Sequence, residues 1–142
     1  MARMARYGLT FVAAAFIAAA GGSAWAGHDF EEPVDYSSQE QVKKLIDIGE
    51  EITFIDMRSA EEFAKGHLPG AKSIPIDVLG HRWQEIPTSG RVIFYCACPP
   101  GERDEIFAFT LMRQEKYRNV TVLEEGYNNW VKRGYPVESV SR

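Results

Sequence analysis

Cys96 and Cys98 stand two positions apart in the run Cys96-Ala97-Cys98-Pro99-Pro100-Gly101-Glu102-Arg103-Asp104, and they are the only cysteines of the chain. A loop that leads into a helix presents backbone N–H groups to a common centre, and the helix dipole adds positive potential there. A thiolate seated at that centre would have a lowered pKa and would be the nucleophilic form at neutral pH. Arg103 can add a full positive charge, with Ala97, Gly101 and Glu102 completing the loop. Free cysteines are also among the most buried residue types. Here a glycine, an arginine and a helix start follow in order, which favours a reactive thiol.

The elements around this loop follow from periodicity and punctuation. Arg91 to Cys96 (RVIFYC) is aromatic and β-branched without polar alternation, the pattern of a buried strand. Pro99-Pro100-Gly101 forces a loop, and a helix is expected from about Asp104 to Gln114. Upstream, Ser37-x-x-Glu40 and Ser38-x-x-Gln41 are both capping boxes for a helix with Val42, Leu45 and Ile46 on one face. Ile52 to Met57 reads as a strand, and Ser59-x-x-Glu62 opens a short helix ending near Gly66. Ala71 to Ile76 reads as a brief strand broken by Pro75, with Asp77 capping a helix through Trp83. Asn119 to Leu123 is a further strand, and Tyr127 to Lys132 a last helix closed by Gly134 and Pro136. Short apolar strands alternating with helices imply an α/β sandwich, a parallel sheet covered on both faces. Ligands of such sheets bind at the carboxyl ends of the strands, where the two thiols lie.

The first residues have a different purpose. Arg3 and Arg6, the apolar run Leu9 to Ala20, and the small-x-small triplet Ala24-Trp25-Ala26 read as a secretory signal peptide, residues 1–26, cleaved after Ala26. The apolar run is short for a membrane span, so no stable membrane insertion is expected after cleavage. The compartment is then periplasmic or extracellular, where thiols tend to oxidise. Residues 27–37 read as a lead-in and 38–140 as the domain. The formal charge of −4 becomes −6 when Arg3 and Arg6 leave. That acidic balance argues against nucleic-acid binding, which needs a basic surface. Two cysteines cannot build a disulfide framework or a thiolate zinc site, and His28 and His81 have no clustered partners, so no metal is expected.

Four segments resemble the rhodanese-like single-domain sulfurtransferase family, from about Ser38 to Glu138. Phe54-Ile55-Asp56-Met57-Arg58 is similar to the family's strand ending in Asp-x-Arg. Glu62-Phe63 followed by Gly66-His67-Leu68-Pro69-Gly70-Ala71 is similar to its Gly-His-Ile-Pro-Gly-Ala segment. Tyr95-Cys96 and the loop after it resemble the active-site loop. Val122-Leu123-Glu124-Glu125-Gly126-Tyr127-x-x-Trp130, then Gly134-Tyr135-Pro136-Val137, resembles the closing strand and helix. The resemblance implies a three-layer α/β sandwich with a central parallel sheet, and a sulfurtransferase that needs no cofactor. Its active cysteine takes a sulfane sulfur from a donor (thiosulfate, persulfide or polysulfide) and becomes a persulfide. A thiophilic acceptor such as cyanide or a thiol, a protein thiol included, then removes it.

The family loop, Cys-x-x-Gly-x-Arg, matches from Cys98, whereas the aromatic-Cys strand ending matches Cys96. Both therefore stand as candidate nucleophiles. Residues two apart in an extended chain project to the same side, so the pair could approach disulfide geometry. A thiol-redox or persulfide relay, or a catalytically silent binding module of the same fold, are the competing readings. A phosphatase loop needs a Cys-to-Arg spacing between the four residues that follow Cys98 and the six that follow Cys96. Glu102, Asp104 and Glu105 would ring the pocket with carboxylates, which disfavours anionic thiosulfate. Asp56 and Arg58 are expected to pin neighbouring loops by charge-assisted hydrogen bonds, and His67 to be a satisfied structural histidine. Glu125 stands where the family usually has the first of two glycines.

Overall fold

A computed structural model describes residues 33–99 and 101–140; the expected signal peptide, residues 1–26, lies outside them. Five strands form one sheet in the order β1-β5-β4-β2-β3, every neighbouring pair parallel. They are β1 (Tyr36–Ser37), β2 (Ile52–Asp56), β3 (Lys72–Ser73), β4 (Arg91–Tyr95) and β5 (Val120–Leu123). The helices are α1 (Gln39–Asp47), α2 (Ala60–Lys65), α3 (Ile76–Arg82), α4 (Arg103–Gln114) and α5 (Gly126–Lys132), with a 3₁₀ turn at Trp83–Glu85.

The central strands are buried on both faces because their side chains alternate between two cores. Ile55, Val92, Phe94, Val120 and Val122 meet Leu79 of α3 and Ala108, Phe109 and Met112 of α4. Phe54, Ile93, Tyr95 and Leu123 meet Val42 of α1 and Trp130 of α5 on the other face. The molecule is thus the α/β three-layer sandwich that the strand–helix alternation predicts. Each fully buried side chain of this kind contributes about 1.5–3 kcal/mol.

Two helix starts are set by local chemistry. Ser38 and Gln41, and likewise Ser59 and Glu62, exchange side-chain to backbone hydrogen bonds as capping boxes. Ser37, the alternative cap, instead belongs to β1, and its Oγ lies 2.7 Å from Thr121 Oγ1. The end of the expected lead-in is therefore the edge strand, joined to β5 through Val122 N–H to Asp35 O and Glu124 N–H to Ser37 O. Two residues are too few to show a period, so pairing with β5 decides their conformation. Asp77 is not the cap of α3: Pro75 takes that place, where its missing N–H costs nothing, and Asp77 sits in the first turn.

Candidate functional site

Strand β4, paired with β2 and β5, ends at Tyr95 and delivers Cys96 to the carboxyl edge of the sheet. Cys96 is 4% exposed and caps the core beneath α3 and α4, while Cys98 is partly buried against the same cluster. The two sulfurs are joined in a Cys96–Cys98 disulfide, with Cα atoms 5.4 Å apart. The Cys98 N–H points at Cys96 Sγ from 3.2 Å.

Helix α5 grips this loop by its carbonyls. Tyr127 N–H donates to Cys96 O at 2.8 Å, and Asn128 Nδ2 donates to Ala97 O at 3.3 Å. Helix N-terminal amides have no intrahelical acceptor, so the loop carbonyls satisfy them. The approach demands a glycine: a Cβ on Gly126 would lie 2.6 Å from Cys96 O and 3.2 Å from Cys98 O, at φ +61°. The turn before it has a left-handed backbone at Glu125 as well, with φ +62° at that residue. Arg133 Nη2 holds Glu125 Oε2 at 3.2 Å, and Gln39 Nε2 donates to Glu124 O and Gly126 O, both at 2.9 Å.

The opposite wall is a carboxylate. Glu105, in the first turn of α4, is fully buried. Its Oε2 accepts from Gly101 N–H at 3.0 Å and from the Tyr36 hydroxyl at 2.9 Å, while its Oε1 lies 3.6 Å from Cys96 Sγ. Burial pushes the Glu105 carboxyl above its usual range; the Gly101 and Tyr36 hydrogen bonds pull it down and the Glu102 charge pushes it further up. Tyr36 Oη also accepts from Gly101 N–H at 3.0 Å. The hydroxyl is raised as well, by burial first and then by its contact with Glu105.

The expected site residues therefore separate into groups. Cys96, Ala97 and Cys98 form one loop segment, with Gly101, at φ +82°, turning the chain toward α4. Of the amides placed here, Cys98 N–H faces a sulfur and Gly101 N–H faces Glu105, while Pro99 and Pro100 have no N–H to offer. Glu102 caps α4 and is exposed, as are Arg103 and Asp104. Arg103 borders a surface hollow of about 440 Å³ with Ile106, Phe107, Thr110, Leu111 and Gln114. The three expected carboxylates split accordingly: Glu102 and Asp104 face solvent and Glu105 faces the disulfide.

Asp56, Arg58 and His67 lie beside the loop. Arg58 Nη2 meets Asp56 Oδ2 at 2.6 Å and Gly66 O at 2.6 Å, and its Nε meets Asp56 Oδ1 at 3.0 Å. Its guanidinium carbon sits 3.6 Å from the centre of the Tyr127 ring, whose own N–H holds Cys96 O. The buried pair is thereby linked to the cysteine loop through one residue. His67 Nδ1 is 2.9 Å from Phe63 O, its ring stacks on Phe63, and its backbone pairs with Glu138. Among the described residues no group of three or more His, Cys, Asp or Glu side chains could hold a metal ion.

Tyr36 is a site residue that the sequence does not point to, and Glu105, expected only as one of three carboxylates around the pocket, is the one that turns inward. Glu105 carries a readable signal, since it precedes Ala108, Phe109 and Met112 by helical spacing and so falls on the buried stripe of α4. Tyr36 carries none, because its position depends on an edge pairing.

The rhodanese-like domain family model matches residues 38–133. A sulfurtransferase of Allochromatium vinosum is 30% identical over 103 residues, covering 72% of this chain and 92% of its own. A Bacillus subtilis protein named as a sulfur carrier, YrkF, is 30% identical over 93 residues, 66% of this chain. The solved structure of a Pseudomonas aeruginosa thiosulfate sulfurtransferase superposes with TM-score 0.64 and 26% identity over 75% of this chain. The match spans only 49% of YrkF and 21% of the Pseudomonas chain. Together these likenesses support sulfur transfer in general.

Proposed function

This chain belongs to the rhodanese-like domain family, and from that premise we propose that it is an exported sulfurtransferase whose cysteine loop carries a sulfane sulfur as a persulfide. The observation that carries the reading is the pair of cysteines on one loop at the carboxyl edge of the sheet, clamped by the N-terminus of α5. Cys98 is the more accessible of the two and serves as the carrier. Its thiolate attacks the outer sulfur of the donor. The donor's S–S bond breaks, and the leaving group departs with the electron pair: sulfite from thiosulfate, a thiolate from a persulfide. A thiol or cyanide-like acceptor then attacks the terminal sulfur and returns Cys98 to a thiolate. With Glu102 and Asp104 exposed beside the loop, a persulfide, polysulfide or protein-borne donor fits better than free thiosulfate.

The Cys96–Cys98 disulfide favours a second reading of the same loop, a dithiol relay. In it Cys96 attacks the inner sulfur of a Cys98 persulfide, a disulfide forms, and hydrosulfide leaves. An external thiol must then reduce the disulfide before another turnover.

Intact-mass spectrometry of the reduced protein, treated in turn with thiosulfate, a persulfide and polysulfide, tests both. Sulfur transfer requires a gain of one sulfur atom that Cys98→Ser abolishes. The relay further requires that Cys96→Ser keep the added sulfur, whereas the unsubstituted protein loses it and ends two hydrogens lighter than its dithiol form. Failure to gain sulfur from any donor would leave a binding module of the same fold.

A further inference from the structure

We infer that Glu105 is the acid–base partner of Cys96, giving a proton to the Cys96 sulfur when the Cys96–Cys98 bond is cut and taking it back when the bond reforms. The inference deepens the dithiol reading of the same loop and rests on it. Glu105 is wholly enclosed although it is a carboxylic acid at the start of a helix, where solvent is one turn away. Its two oxygens have different surroundings. Oε2 receives both available donors, Gly101 N–H and Tyr36 O–H, and Oε1 is left facing Cys96 Sγ at 3.6 Å. A disulfide sulfur has no hydrogen to give, so a hydrogen bond across that contact in this oxidised loop requires the proton of the acid. With Oε2 already accepting two hydrogen bonds, the proton of a neutral Glu105 sits on Oε1, on the side of the sulfur.

A thiolate reductant attacks Cys98 Sγ, the less buried sulfur, and forms a mixed disulfide. The Cys96–Cys98 bond breaks and its electron pair goes to Cys96 Sγ. Cys96 Sγ takes the Oε1 proton, leaving a Cys96 thiol and a Glu105 carboxylate, which the Tyr36 and Gly101 donors stabilise. In reverse, the carboxylate removes the Cys96 proton as that sulfur attacks Cys98, expelling a thiolate from a mixed disulfide or hydrosulfide from a persulfide. Burial in an apolar setting would leave the departing Cys96 sulfur poorly solvated as an anion, so a proton source in contact with it matters most at this position.

Among the described residues, groups from four places act on Glu105. Tyr36 reaches it from β1, the Gly101 amide from the loop, Cys96 from the end of β4, and Glu102 acts from the cap of its own helix. Glu124, at the end of β5, acts on Tyr36. Burial and the Glu102 charge together hold the carboxyl above its ordinary range, in the direction a proton donor needs near neutrality.

The test follows reduction of the disulfide in the full chain by dithiothreitol, from about pH 5 to about pH 9, the span that raised buried carboxyls can occupy. Each rate is divided by the concentration of reductant thiolate. The unsubstituted protein should show a normalised rate that falls through one inflection as Glu105 loses its proton. Glu105→Gln should lack the inflection and run roughly 100-fold slower on the acid side, the lower end of general-acid effects. Tyr36→Phe retains the acid but removes a donor that stabilises its anion, so its inflection should move to higher pH. This second variant decides the matter if Glu105→Gln does not fold. A flat profile in the unsubstituted protein, the same inflection in Glu105→Gln, or an unmoved inflection in Tyr36→Phe overturns the inference. Sulfur retention by Cys96→Ser, measured alongside, separates the two proposals. Retention with a flat profile sinks only the role of Glu105, and an inflection without retention sinks only sulfur transfer.

Discussion

Replacing Gly126 by alanine should damage the cysteine loop more than any other single methyl added at a left-handed glycine among the described residues. The new Cβ would stand 2.6 Å from Cys96 O and 3.2 Å from Cys98 O, both backbone atoms that cannot swing aside as a flexible side chain would. Two costs arise. At φ +61° an L-residue loses about 1–2 kcal/mol from its own backbone contacts. Driving a methyl into a packed site adds typically about 1–3 kcal/mol. The expected total is about 2–5 kcal/mol, a large share of the roughly 5–15 kcal/mol that holds a domain folded. Gly134→Ala is the control, since it has φ +71° with nothing within 4 Å of the added Cβ, and it should cost only the conformational part. Urea denaturation of both variants isolates the steric term as the difference in midpoint at constant slope. The Gly126 variant should also weaken the Tyr127 N–H to Cys96 O bond and change the rate at which a thiol reduces the disulfide. Equal midpoints for the two variants would show that the loop is not seated against α5 as described.

Two further predictions concern buried charge. Arg58→Ala removes the partner of a fully buried Asp56 carboxylate, so it should cost about 3–5 kcal/mol in denaturant unfolding, with little recovery in Arg58→Lys, which cannot reproduce the forked contact; a loss near that of an exposed ion pair would refute the burial argument. Because burial raises the Glu105 carboxyl in the folded chain, the native state holds its proton where the unfolded chain has released it. Its contribution to stability is therefore full below the ordinary value of 4.5 and declines as pH rises through the raised folded value. Glu105→Gln should lack this decline, and parallel stability–pH curves for the two proteins would refute it.

The parts legible in the sequence were those set by local chemistry and by runs long enough to show a period. Strand β4 was readable because Val92, Ile93, Phe94 and Tyr95 are apolar on both faces, and only a parallel sheet covered on both sides uses such a run. The starts of α1 and α2 were readable because each capping box needs only four consecutive residues. Edge strand β1 was not, since Tyr36 and Ser37 owe their conformation to Val122 and Leu123, more than 80 positions away. The close approach of Cys96 and Cys98 followed from their spacing. The burial of Glu105 did not, because its charge alone does not separate it from Glu102 and Asp104, the other carboxylates expected around the pocket. Only its spacing to Ala108 and Met112, weighed above its charge, would have placed it inside.

That inversion bears on the proposed dithiol reading of the loop. Amides and a guanidinium converging on one sulfur would stabilise a single anion. The loop here offers one amide to Cys96, two prolines without N–H groups, an exposed Arg103, and a buried acid at 3.6 Å. A site that lacks fixed positive charge beside its sulfur can still let a thiolate leave if a proton arrives with the electron pair. A second sulfur within bonding reach makes that departure reversible. The features that depart from a one-cysteine anion cradle are thus the ones the proposed two-cysteine reading calls for: a partner sulfur, an enclosed carboxyl, and a glycine that seats the loop on α5 so that both stay in register.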